Sequence, residues 1–93
     1  MRVGIVGAGT MGQGIAQMSA QTGSEVRLYD ASPEACQRSK RELSHNWQQQ
    51  EISGKIDSEQ RQACAERLQV ANRLEDLADC DLVVEAISEH MEA

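Results

Sequence analysis

Val3-Gly4-Ile5-Val6-Gly7-Ala8-Gly9-Thr10-Met11-Gly12, residues 3–12 of 93, contains the change from one backbone regime to another. Val3 to Val6 is a short apolar run with β-branched side chains, stopped by a glycine, which is the pattern of a buried parallel strand. Directly afterwards Met11, Ile15 and Met18 recur at i, i+4 and i+7, so the apolar period switches to that of a helix inside the glycine cluster. Gly7, Gly9 and Gly12 form G-x-G-x-x-G, in which the first glycine allows a tight turn, the second lets backbone approach a pyrophosphate, and the third lets helix and strand pack closely. The motif alone is weak, since glycine clusters are common in loops. Between a strand and a helix it becomes the phosphate turn of a dinucleotide-binding fold, against the competing reading of a tight turn that binds nothing.

Moving outward, Gly14, Ala16 and Ala20 extend the run of small residues along the helix, and with it the close approach to the sheet that Gly12 begins, and Gly23 ends the helix. Residues 25–30, EVRLYD, alternate Val26, Leu28 and Asp30 against Arg27 and Tyr29, as a second strand would. Strand, helix and strand within thirty residues make a βαβ unit. Asp30 lies 18 residues after Gly12, where a carboxylate accepts hydrogen bonds from the adenosine ribose hydroxyls. A 2′-phosphate there would meet a like charge, and Ala31 and Ser32 supply no adjacent arginine, so NAD is favoured over NADP. The alternative for Asp30 is a helix-entry residue ahead of Ser32-Pro33.

Ser32, Pro33 and Glu34 place a capping hydroxyl, a first-turn proline and an acid at the start of a long helix. Its apolar stripe is sparse, chiefly Cys36, Leu43 and Trp47 beside Ser39, and predicts a helix that projects from the sheet. Gly54 marks its stop, and Asp57 with Gln60 predicts a capping box for a third helix through about Arg67. Leu68 and Val70 fit a short strand, Leu74, Leu77 and Ala78 a helical turn or two, and Leu82 to Ile87 a fourth strand. The alternation predicts an α/β, Rossmann-type doubly wound parallel sheet of about four strands with helices on both faces. Such a fold needs two halves, so the chain reads as its N-terminal part, a single domain without an internal boundary.

Composition narrows the function. The formal net charge is -6, with nine Lys and Arg scattered among fifteen Asp and Glu, so no basic stripe points to nucleic acid. Acidity does not exclude a dinucleotide, because backbone N–H groups at a helix start can meet its pyrophosphate. Cys36, Cys64 and Cys80 fit neither a disulfide framework nor zinc-ligand spacing and read as reduced, buried thiols. No apolar run reaches the length of a membrane span, and a cytoplasmic location follows as the default.

VGIVGAGTMGQGIAQ at 3–17, VRLYDASPEA at 26–35 and DLVVEAISE at 81–89 closely resemble the NAD-binding domain of the L-3-hydroxyacyl-CoA dehydrogenase family. GAGTMGQGIAQ and the EAISE at 85–89 are the most specific parts. Dehydrogenases of the 6-phosphogluconate type begin with a similar turn but differ in that ending. The resemblance implies that Gly7, Ala8, Gly9, Thr10, Met11 and Gly12 hold the pyrophosphate, Asp30 the ribose, and Ala86, Ile87 and Glu89 line the cofactor after the fourth strand. Glu89 could instead be a solvated helix-start residue, and Glu85 reads as structural. Acyl-CoA contacts in the family come also from the stretch that is Asn46 to Lys55 here, where Asn46 and Ser53 depart from the serine and lysine of some members.

The family's base is a histidine oriented by a glutamate, and the resemblance places both beyond Ala93, so this chain contains no catalytic residue. His45 and His90 lack the strand context that role requires. No Ser or Cys sits in a nucleophile elbow, and no metal-ligand spacing occurs. Dehydrogenation of an acyl-CoA by a homodimer joined through a missing helical part is therefore expected, with the isolated chain inactive. Two alternatives stand beside it: an NAD enzyme for another small hydroxyacid or sugar acid, and a non-catalytic NAD-sensing module.

Overall fold

The computed structural model describes residues 1–86. Strands β1 (Arg2–Val6), β2 (Glu25–Tyr29), β3 (Leu68–Val70) and β4 (Leu82–Glu85) form one sheet in the order β3-β2-β1-β4, and every pair in it is parallel. Helices α1 (Thr10–Gln21), α2 (Pro33–Ile52) and α3 (Ser58–Arg67) connect the first three strands, and a 3-10 turn (Leu74–Leu77) precedes β4. The parallel α/β sheet with its winding reversed at β1 is the doubly wound pattern that the strand and helix alternation predicts, but among the described residues the helices expected on both faces lie on one.

The sheet's register decides what each face carries. Val3, Val26 and Leu68 lie side by side, as do Ile5, Leu28 and Val70, and this face receives all three helices. Successive right-handed crossovers from β1 to β2 to β3 step in one direction, which puts their helices on one side. The return to β4 crosses the opposite face, where the described residues place only the 3-10 turn. A side chain at Gly4 would crowd that turn, since its Cβ would lie 3.1 Å from the Cys80 sulfur and 3.3 Å from Leu77. Arg2 and Arg27 both pair with Asp79 there, at 2.9 and 2.5 Å, which ties the turn to β1 and β2. Burial acts to raise the Asp79 carboxyl, but the Arg27 and Arg2 guanidiniums outweigh it and hold the group below its ordinary value.

The small-residue face expected for α1 is found except at Gly14, and the expectation for α2 is corrected. As expected, Gly12, Ala16 and Ala20 are the residues of α1 that meet the sheet, and Met11 and Met18 of its apolar period are 66% and 62% exposed. A Cβ on Gly12 would lie 1.8 Å from the Gly7 carbonyl oxygen, so α1 sits too close to β1 for large side chains in its first turn. Gly14 takes no part in that approach, because a Cβ there would meet nothing within 4 Å. Nor does α2 project from the sheet: Cys36, Ser39, Leu43 and Trp47 are all buried in the core.

The seam between α1 and α2 explains how a helix with so few apolar residues is held. Gln13, Gln17 and Gln21, spaced four apart on α1, each accept from α2 through their side-chain carbonyls. Ser39 Oγ donates to Gln13 at 3.1 Å, Asn46 Nδ2 to Gln17 at 3.3 Å, and Trp47 Nε1 to Gln21 at 3.2 Å. Asp57 and Gln60 form the expected capping box on α3. Cys36 and Cys64 are buried and Cys80 is half-buried, all three as free thiols, and burial pushes the first two above their ordinary values.

Candidate functional site

The carboxyl ends of β1, β2 and β4 bring three of the expected binding segments together. Gly7 N–H donates to the Tyr29 carbonyl at 2.7 Å and Ala86 N–H to the Val6 carbonyl at 2.8 Å, so the turn after β1 is stitched to both neighbouring strands. Because β1 lies between β2 and β4, the chain leaves it in opposite directions on its two sides, and a crevice opens at such a switch point. Gly7 makes the turn with φ +116°, a conformation in which an L side chain is strained.

The start of α1 carries no side-chain cap. Gly9 is its N-cap and has no side chain to offer, and the first turn contains no acid. The first N–H groups of a helix have no partner within it, so those of α1 point into the crevice with the helix dipole's positive end. By contrast, Ser32 caps α2 and Asp57 caps α3, each with a glutamate in the first turn. A cradle in which Gly12 has no space for a Cβ and the helix start is left uncapped fits a pyrophosphate.

Asp30 sits between that cradle and α2. Its Oδ2 accepts from Ala8 N–H at 2.8 Å and its Oδ1 from Ser32 N–H at 2.8 Å. The carboxylate therefore fixes the glycine turn as well as facing the crevice. It lines a cavity of about 340 Å³ together with Gly7, Gly9, Tyr29, Ala31 and Arg38. Ala8 and Gly12 are buried, Gly9 is half-buried, and Thr10 and Met11 are exposed in the first turn of α1. Ala86 is buried at the end of β4 beside Val6. Ile87, Glu89 and His90 lie outside the described residues.

The remaining candidates fall elsewhere. Glu85 is exposed on β4, in register with Val6. His45 is exposed on α2. Asn46 is occupied in the seam with Gln17, and the Ser53 hydroxyl donates to the Gln50 carbonyl at the end of α2. Among the described residues no cluster of three metal-ligating side chains occurs, and no helix is long and apolar enough to cross a membrane. Arg38 is the residue that sequence reasoning missed: it is absent from the positions next to Asp30, but lies on the same face of α2 as Ala35, one helical turn on, and so reaches the same cavity.

Comparison with known proteins agrees with this arrangement. A family model described as "3-hydroxyacyl-CoA dehydrogenase, NAD binding domain" matches residues 2–93. A probable 3-hydroxybutyryl-CoA dehydrogenase of Deinococcus radiodurans is 38% identical over 92 residues, which are 99% of this chain and 33% of that protein. The 3-hydroxyadipyl-CoA dehydrogenase of Escherichia coli K12 is 38% identical over 90 residues, 97% of this chain and 19% of that protein. The crystal structure of 3-hydroxybutyryl-CoA dehydrogenase from Escherichia coli K12 superposes with a TM-score of 0.92 at 37% identity, covering 97% of this chain and 19% of that one. This chain thus spans a third or less of each of these relatives, and the matches favour the acyl-CoA dehydrogenase reading over the sugar-acid and sensing alternatives. From the glycine turn, the strand order and these matches together, the chain belongs to the 3-hydroxyacyl-CoA dehydrogenase family, as its NAD-binding domain.

Proposed function

We propose that this chain is the N-terminal cofactor-holding part of a longer cytoplasmic enzyme that interconverts L-3-hydroxyacyl-CoA and 3-oxoacyl-CoA. The observation that carries the reading is the uncapped start of α1 facing Asp30 across one crevice, in a chain whose family is the NAD-binding domain of such dehydrogenases. NAD, when bound, supplies the acceptor or donor of a hydride. The backbone N–H groups from Gly7 to Gly12, including those of Ala8, Thr10 and Met11, hold its pyrophosphate by hydrogen bonding and the helix dipole. Asp30 takes the ribose diol, and Ala86, with Ile87 and Glu89, borders the cofactor beyond β4.

No residue of this chain takes the hydroxyl proton. The base and the glutamate that orients it belong to the sequence after Ala93, along with the helical part through which two copies join. The share of the relatives that this chain spans supports that division. The acyl-CoA chemistry rests on the names of the relatives, since Asn46 and Ser53 are engaged within the chain.

The test is NADH oxidation with acetoacetyl-CoA. The complete protein turns over, and Asp30→Ala weakens NADH binding about ten- to a hundredfold through loss of hydrogen bonds to a charged group. The purified 93-residue chain shows no turnover. Activity in that chain, or none in the complete protein with any 3-oxoacyl-CoA, overturns the reading.

A further inference from the structure

The adenosine end of the crevice carries two opposite charges from two different elements. Asp30 stands at the end of β2 with both carboxylate oxygens already holding backbone N–H groups, so its negative charge is fixed in place. Arg38 comes from the second turn of α2 into the same cavity, and among the described residues it pairs with no carboxylate. Ala31 and Ala35 leave a low apolar shelf between them. A flat, uncharged ring with a diol fits this set: the diol on Asp30, the ring on the shelf, and its face against the guanidinium plane.

We infer that Arg38 is a specificity-determining residue of the dinucleotide site, stacking on the adenine ring and partly offsetting Asp30's rejection of a 2′-phosphate. The inference rests on the proposal that NAD occupies this crevice. With Asp30 alone the site would refuse a 2′-phosphate outright. With Arg38 in the same cavity the refusal becomes a difference between two nearby charges of opposite sign. Removing Arg38 sharpens the preference for NAD, and removing Asp30 relaxes it, so the two residues act on cofactor choice in opposite directions.

The experiment is a fluorescence titration of the complete protein with NADH and with NADPH, for the wild type, Arg38→Ala, Arg38→Lys and Asp30→Ala. Arg38 is exposed on a helix, and alanine is a good helix former, so the first variant keeps the fold. Arg38→Ala weakens NADH about two- to fivefold, the size of an exposed cation–π contact, and NADPH about tenfold or more. Arg38→Lys keeps most of the NADPH affinity but loses the NADH stacking gain, because an ammonium has no plane. Asp30→Ala narrows the gap between the two cofactors while Arg38 is present. An NADPH-to-NADH ratio in Arg38→Ala within twofold of the wild type, with NADH still bound, overturns the role of Arg38 alone. A wild type that binds neither dinucleotide overturns the NAD reading and this one with it.

Discussion

The first turn of α1 and the first turns of α2 and α3 face the same backbone problem and solve it differently. Each has N–H groups without intrahelical partners. In α2 and α3 the chain satisfies its own donors, through Ser32 and through the Asp57–Gln60 box, and adds Glu34 and Glu59 against the helix dipole. In α1 it uses glycine at the cap, no acid, and a turn tied down by a carboxylate from another strand. The stabilising local rule is thus followed where the helix only has to hold the fold, and set aside at the helix start that we propose meets the cofactor's phosphates.

Substitutions can break this contrast in order of size. Gly12→Ala places a Cβ 1.8 Å from the Gly7 carbonyl, and we expect a loss of more than about 3 kcal/mol of stability together with NADH binding. Thermal unfolding and NADH fluorescence measure both; normal binding in that variant would mean that α1 can move away from β1. Gly9→Asp gives α1 the kind of cap that α3 has. Its extended backbone, φ -78°, accepts an aspartate, so the fold persists while NADH affinity drops about a hundredfold or more through a carboxylate in the phosphate's place. Unchanged affinity there would show that the pyrophosphate does not use this helix start.

Asp57→Ala makes the converse test. Losing the α3 cap costs about 1 kcal/mol in urea unfolding, with NADH affinity unmoved. The smallest effect is on the opposite face of the sheet. Because the folded Asp79 carboxyl lies below its ordinary value, its contribution to stability is present above about pH 4 and is lost as pH falls through the folded value. Asp79→Asn should therefore flatten the acid limb of the stability profile slightly, since the group is exposed and well screened.

The parts of this molecule that were legible in the sequence are those encoded by neighbours along the chain. Ser32-Pro33, Asp57 with Gln60, and the three motif glycines each act within one turn, so their positions follow from local sterics and hydrogen bonding. The small-residue face of α1 was legible at Gly12, Ala16 and Ala20, which are spaced four apart on one face, but not at Gly14, which the helix turns away from the sheet. Tertiary polar contacts leave no period at all: a glutamine every fourth residue looks like solvated surface until a second helix is laid against it. Arg38 escaped for the same kind of reason, since reaching Asp30's cavity depends on the phase of α2 relative to the end of β2.

The rungs from Gln13, Gln17 and Gln21 have a further consequence for how the protein meets changing solvent. They are amides bonded to a hydroxyl, an amide and an indole, none of which titrates near neutral pH or carries a charge for salt to screen. The other side of the sheet is held by Arg2, Arg27 and Asp79, which respond to both acid and ionic strength. Acidification or added salt therefore acts on these contacts and on the Arg61–Glu51 pair between α3 and α2, while α1 and α2 keep their spacing along the seam beside the crevice.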